Sequence, residues 1–431
     1  MSDQQPQNAP GAPNGEQDVG RPPRLRLRSL TVHQFREVRP GTELHFADGF
    51  HLILGKNGSG KSTLVRLLAA VCALRFRDPF FADTPFHLEA SLSFGDFLVH
   101  VEAKRTFEPM PIVAGGDLPS TENMEIRVRV EHPSLPEARQ VLARTGEGIG
   151  VLRANGDPLF VLAGVKVWPG LVGLVLMAVG DPDPRGWAYL HPPFSTIMEK
   201  ALRQGGPTDT PFDEAIATMH RVVSDEVSIT RGKTHATSPW FPLALDFTAE
   251  GEPHEIDLAR APVLADAIER LGFDAGKMYF GPGASGPRGW TYSSPVLTFS
   301  RGGKPVRRHD QLSFGQQRLF SFAWYLACNP DIAIADELVN GLHEDWIDWC
   351  VEAMSDRQCF LTSQNPLLVD MVPMASKEEV QRGIIRCEAD GATGELRLEQ
   401  LDDRTASIIA EAMQRSRLDM LSDLLHALDL W

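Results

Sequence analysis

Gly55-Lys56-Asn57-Gly58-Ser59-Gly60-Lys61-Ser62-Thr63 fills every fixed position of a GxxxxGK[ST] loop. Its flanks fit as well. Phe50-His51-Leu52-Ile53-Leu54 is a short apolar run suited to a buried strand, and Leu64 to Val71 reads as a helix that opens directly after the loop. Glycines at 55, 58 and 60 allow a tight turn that points several N–H groups at one phosphate chain, and the helix N-terminus adds partial positive charge. The pattern predicts that Lys61 neutralises the terminal phosphates of a nucleotide and that the Ser62 hydroxyl ligates Mg²⁺.

Two later stretches extend this reading. Ile332-Ala333-Ile334-Ala335 ends in the adjacent carboxylates Asp336 and Glu337. A strand buried on both faces is apolar throughout, and its carboxyl end is where open α/β sheets place ligand chemistry. Asp336 is therefore a candidate Mg²⁺ ligand, and Glu337 a candidate general base for an attacking water. Earlier in the chain, Leu312-Ser313-Phe314-Gly315-Gln316-Gln317 opens a helical run in which Ser313 is an N-cap and Gln316 completes a capping box. A helix start with a free hydroxyl and small residues receives phosphate. With one phosphate cradle already present, this second one is expected to close over nucleotide held by another copy.

These three stretches resemble, in this order, the Walker A, signature and Walker B motifs of ABC-type ATPases. More narrowly, the chain resembles the stand-alone AAA-family ATPases of the SMC, RecF and OLD-like branch, found in DNA repair and bacterial anti-phage defence. Leu25 to Arg36, followed by Glu43-Leu44-His45-Phe46, is similar to the opening hairpin of that branch, and Leu424 to Trp431 to its closing helix. The resemblance implies that Arg36 approaches the nucleotide alongside Gly55, Asn57, Gly58, Ser59, Gly60, Lys61, Ser62 and Thr63. It places Ser313, Gly315 and Gln316, with Asn340 and His343 of the Asp336 to His343 stretch, at the opposite site of a dimer.

One position departs from the pattern. The run Gln358 to Ser363 should end in a switch histidine and ends instead in Gln364-Asn365-Pro366. An amide can hydrogen-bond a phosphate or a water but cannot carry a cation or shuttle a proton. Slow hydrolysis is expected, with catalytic roles for Glu337, Lys61 and Gln364.

The implied fold is α/β: an ABC-type P-loop NTPase head, a mixed central sheet flanked by helices, with an inserted mixed α+β lobe. The expected divisions are a disordered tail over 1–23, the first half of the head over 24–132, the lobe over 133–290 and the second half over 291–431. Strand-like runs at Leu88 to Val101 and Met124 to Val130 extend the head's sheet, and helical patterns fall at Ser195 to Arg203, Phe212 to Val223 and Ala261 to Leu271. Val296 to Phe299 and Pro305 to Arg307 flank a hairpin turn. No sustained heptad is present, so a long coiled-coil arm is excluded.

A chain of 431 residues with 42% hydrophobic content buries a large core. The five cysteines have neither C-x-x-C spacing nor paired histidines, so zinc and a disulfide frame are not indicated and a cytoplasmic setting is expected. The apolar tract Val167 to Val179 contains Pro169 and is too short to span a membrane. A net charge of −15 argues against extensive nucleic-acid contact, although Arg21, Arg24, Arg26 and Arg28, and again Arg301, Lys304, Arg307 and Arg308, form local clusters.

The expected function is an ATP- and Mg²⁺-dependent head-to-head homodimer, a slow switch in a defence or DNA-repair complex with a separate effector such as a nuclease. DNA binding rests on the family resemblance. A non-hydrolysing ATP-gated scaffold and the ATP-binding subunit of a transporter are the alternatives.

Overall fold

The computed structural model describes residues 24–108, 121–162 and 251–431, and the backbone strands 227–230, 235–236 and 245–246, apart from short gaps at 75, 77–78, 82–83, 134–136, 145–147, 153–154, 156, 287–288, 293–295, 375 and 416–419. The tail, the Val167 to Val179 tract and the helical patterns at 195–203 and 212–223 lie outside the described residues.

The centre is a five-stranded sheet in the order Ile332–Ala335, Gln358–Thr362, Phe50–Leu54, Ile384–Ala389, Leu396–Gln400. The first four strands run parallel and the fifth returns antiparallel. Every residue of the first three is buried, which explains their unbroken apolar runs. Alternate residues then belong to different cores. Ile53, Ile332, Ile334 and Phe360 pack with Leu64 and Leu68 of the Lys61–Ala73 helix, while Leu52, Ala333, Ala335 and Leu361 pack with the later helices. These include Phe314–Cys328, Glu344–Met354 and Pro366–Met371.

Beyond the Lys61–Ala73 helix lies an eight-stranded antiparallel sheet in the order Thr42–His45, Leu25–Phe35, Phe86–Phe94, Phe97–Glu108, Thr121–Glu131, Arg139–Arg144, Gly148–Leu152, Pro158–Leu162. Its strands alternate, with Leu30, Val32, Leu88, Val99 and Val128 facing the core. One sequence expectation is corrected here. The run Leu88 to Val101 is two strands, because Gly95 and Asp96 turn the chain back on itself. The expected boundary after residue 132 is crossed by the sheet, since Thr121–Glu131 pairs with Arg139–Arg144 and the meander continues to Leu162.

Strands on either side of 290/291 also pair. His254–Asp257 and Ala275–Phe280 form one antiparallel sheet with Val296–Arg301 and Lys304–Arg308. The Pro262–Arg270 helix, expected from 261–271, shares its core with Phe314–Cys328, and its Asp266 accepts a hydrogen bond from the Trp349 indole at 2.5 Å. Among the described residues, no helix is long and apolar enough to cross a membrane.

Two buried polar side chains join the sheets. The Gln358 carboxamide accepts from Leu27 N (2.8 Å) and donates to Leu27 O (2.8 Å) and Ala47 O (2.6 Å), so its burial is offset by three hydrogen bonds. His51 is fully buried, stacked on Phe360, with Ala47 N donating to Nε2 (3.1 Å) and Nδ1 bonded to Cys359 O (3.0 Å). This pairing needs the neutral ring, and burial pushes the His51 pKa down to about 4.

Between pH 6.5 and pH 4 the unfolded chain therefore binds a proton at this position that the folded chain refuses. Stability from His51 is complete above pH 6.5 and is lost as the pH falls toward 4, a loss of roughly 3 kcal/mol. Urea unfolding midpoints measured across this window should fall more steeply in the parent than in His51→Gln.

Candidate nucleotide site

Backbone conformation shapes the Gly55 to Thr63 loop. Gly55 has φ 147°, and a Cβ there would stand 2.2 Å from Cys387 O; Gly60 has φ 96°, and a Cβ would meet Leu396 Cδ1 at 2.9 Å. Only glycine fits either place. Gly60 caps the Lys61–Ala73 helix without contributing a side chain, and the first turn holds no acidic residue, so no side chain caps the leading N–H groups. Lys61, nearly buried, donates to Gly55 O (2.7 Å) and Lys56 O (3.1 Å) of its own loop. Ser59 Oγ is buried with no hydrogen-bond partner.

Beside the loop lies a cavity of about 470 Å³, whose lining includes Asn57, Lys61, Ser62, Asp336, Glu337 and Gln364. Ser62 Oγ donates to Asp336 Oδ2 at 2.8 Å, and Thr362 Oγ1 donates to Asp336 Oδ1. Thr362 Oγ1 also accepts from Glu337 N at 2.9 Å. A hydroxyl and a carboxylate, both oxygen donors and converging at the loop's end, suit a hard cation such as Mg²⁺.

Glu337 has φ 52°, an uncommon conformation for a residue with a side chain. Its amide is held by Thr362, and its carbonyl accepts from the Arg318 guanidinium, which also bonds Leu338 O at 2.9 Å. Its carboxylate is gripped on both sides. Gln364 Nε2 donates to Oε1 (3.1 Å) and Asn340 Nδ2 to Oε2 (3.4 Å), while Gln364 also reaches Asn57 Oδ1 (2.8 Å).

Loop, Asp336, Glu337 and Gln364 are thus brought together. Gly58 and Thr63 line the same cavity. Ser313, Gly315 and Gln316 do not: Ser313 caps the Phe314–Cys328 helix with the expected box, accepting from Gln316 N at 3.4 Å while its own N–H reaches Gln316 Oε1 at 3.0 Å. His343 caps the Glu344–Met354 helix, and its side chain is largely exposed. Arg36 is not among the residues that line the cavity; its guanidinium lies 4.6 Å from the Phe80 ring centroid and is bonded to Phe80 O.

Four residues went unnoticed in the sequence. Glu37, Gly394 and Leu396 line the cavity, where Leu396 N donates to Glu37 O (2.7 Å), a pairing of distant segments without a local signal. Thr362 is the fourth, and its signal was a hydroxyl closing an otherwise apolar strand.

Residues 29–108 match the family model of the AAA domain. The chain's fold is that of an ABC-type P-loop head, in which Gln358–Thr362 lies between the Walker A strand and the Walker B strand. Solved structures similar to the head include the SMC head domain from Thermotoga maritima, at 13% identity, covering 88% of this chain and 99% of that one, with a TM-score of 0.35. An Smc head from Pyrococcus furiosus with an extended coiled coil, bound to the C-terminal domain of ScpA, has 12% identity, coverage of 90% and 100%, and a TM-score of 0.36. RecF with ATP, of the RecFOR pathway, has 12% identity, coverage of 88% and 100%, and a TM-score of 0.32. No curated protein matches the chain.

The double use of Thr362 generates a test. Thr362→Val removes a hydrogen bond from Asp336 and leaves Glu337 N without its acceptor. The Mg²⁺ concentration needed for half-maximal binding of a fluorescent ATP analogue should rise about 10-fold, the lower end of what lost supporting contacts cost a metal site. Thr362→Ser should stay within about 2-fold, since the hydroxyl is kept.

Proposed function

We propose that this head is an ATPase that works as a slow switch between two copies of the chain. The observation that carries the reading is the Glu337 carboxylate, held by Gln364 and Asn340 in the cavity that Lys61, Ser62 and Asp336 line. A carboxylate fixed beside a phosphate cradle can orient and deprotonate a water. Lys61 would exchange its two loop carbonyls for phosphate oxygens, and Ser59 Oγ would gain a partner. Ser62 and Asp336 would hold Mg²⁺, which when bound neutralises phosphate charge. Gln364 donates to Glu337 and to Asn57, so it can position the base and the loop but cannot relay a proton. Turnover is slow on this reading.

The second copy follows from the signature stretch. Ser313 with its box starts a helix whose first residue, Phe314, is 67% exposed, and none of Ser313, Gly315 and Gln316 lines the chain's own cavity. Ser313, Gly315 and Gln316 would complete the site of a partner, with His343 beside them, while Asn340 holds Glu337 of its own chain and would face the partner only from there.

The biological role we favour is a regulatory subunit in a defence or DNA-repair complex, acting on a separate effector such as a nuclease. DNA is a weak candidate ligand for the first arginine cluster. Arg24 pairs with Asp356 at 2.8 Å, Arg28 with Asp48 at 2.5 Å, and Arg26 donates to Asp331 O at 2.9 Å. The exposed strand Lys304–Arg308 is the better basic surface.

Phosphate release by the purified chain, followed with Mg²⁺-ATP, tests the proposal. Glu337→Gln should lower kcat by at least about 100-fold with ATP binding retained, the scale of a lost general base. Light scattering should show that variant as an ATP-dependent dimer. Ser313→Arg should bind ATP as a monomer. Unchanged turnover in Glu337→Gln would overturn the assignment, and tight ATP binding without turnover in the parent would favour the scaffold.

A further inference from the structure

A second cluster of metal-ligating side chains lies on the outer face of the antiparallel sheet. The register between Leu25–Phe35 and Phe86–Phe94 shifts between Val32 and Gln34, so His33 is the extra residue of a bulge. The shift brings its ring to the ring of His87, with centroids 4.5 Å apart and planes tilted by 33°. Glu89 is two residues beyond His87 on the same face, and Glu102 of the next strand stands directly opposite Glu89.

The donor atoms converge. His33 Nε2 is 3.0 Å from Glu89 Oε1, His87 Nε2 is 3.8 Å from the same oxygen, and His87 Nε2 is 3.2 Å from Glu102 Oε1. Ligating atoms of His33, His87 and Glu89 all lie within 4.8 Å of one another. Tetrahedral zinc, with bonds near 2.1 Å, needs donors about 3.4 Å apart, inside this range.

Two features look for a cation. Glu89 and Glu102 are like charges placed directly opposite across two strands, an arrangement that costs stability unless something lies between them. Arg127 approaches only the far oxygen of Glu102, at 3.6 Å from Oε2, and leaves Oε1 toward His87. His87 Nε2 is meanwhile shut off from solvent and makes no hydrogen bond.

We propose that His33, His87 and Glu89, with Glu102 as fourth ligand, bind one divalent transition-metal ion of the zinc class. The mixed imidazole and carboxylate set selects zinc over Mg²⁺ or Ca²⁺, which take oxygen ligands. It is therefore a site separate in chemistry from Ser62 and Asp336. The ion ties three strands together close to where Leu25–Phe35 runs into Arg36 and Glu37, and Glu37 lines the nucleotide cavity.

Chelator-treated full-length protein, titrated with Zn²⁺ alone against a chromophoric chelator, tests the site. The parent should take up one equivalent more than a His33→Ala/His87→Ala double variant, and Glu89→Gln should bind at least about 10-fold more weakly, no less than a supporting contact costs. Zn²⁺ should also raise the thermal midpoint of the parent and leave that of the double variant unmoved. Both histidines are partly exposed, so the variants are expected to fold; circular dichroism and unchanged binding of Mg²⁺-ATP check this. Equal zinc uptake by the parent and a folded double variant would overturn the proposal and leave His33 and Glu89 as an ion pair. If the double variant does not fold, Glu89→Gln decides, and undiminished affinity there overturns the proposal equally.

Discussion

A parallel strand buried on both faces must be covered twice, and the architecture follows from that constraint on Phe50–Leu54 and its neighbours. The Lys61–Ala73 helix covers one face and is too narrow to shield it alone, so the antiparallel sheet closes over the helix with Leu30, Val32, Leu88 and Val99. The other face is covered by the helices that begin at Phe314, Glu344 and Pro366. Covering both faces leaves only the strand ends open to chemistry. The loop after Leu54, the carboxylates after Ala335 and the amide after Ser363 therefore meet at one edge.

Asp336 is the point at which these ends are held. Its two oxygens bond hydroxyls from different segments, Ser62 from the loop and Thr362 from the neighbouring strand. The same threonine holds the amide of Glu337, and Arg318 holds its carbonyl, so the unusual backbone at φ 52° is fixed from both sides. Strain of this kind persists where surrounding contacts over-determine it, and here it aims a carboxylate into the cavity.

Legibility in the sequence divides along the same line. The loop, Asp336 and Glu337 could be read because each requirement is local: glycine where φ is positive, a lysine and a hydroxyl at a helix start, carboxylates at a strand end. Gln364 was legible as a position but not as a contact, since its bond to Asn57 depends on which strands are neighbours. Thr362 and Glu37 depend on strand order in the same way. Strand pairing across 132/133 and 290/291 was not legible, because a meander of alternating strands has no compositional break where the sheet is still being extended. The His33 and His87 pair was equally hidden, created by a bulge that no residue type announces.

The signature stretch and the segment after Glu337 behave as one packed unit, and this bears on how a second copy could be sensed. A Cβ on Gly315 would stand 3.0 Å from Gly341 O, and a Cβ on Gly341 would meet the Phe314 ring at 2.8 Å. The two backbones are in contact because neither residue carries a side chain. Gly341 follows Asn340, whose amide grips Glu337 Oε2. Pressure on the exposed Phe314 ring therefore has a short route to the carboxylate: from ring to Gly341, from Gly341 to Asn340, and from Asn340 to Glu337. On the proposed reading, a second copy seated on Phe314 and the placement of Glu337 would be linked through this contact, as a latch requires and a freely cycling motor does not.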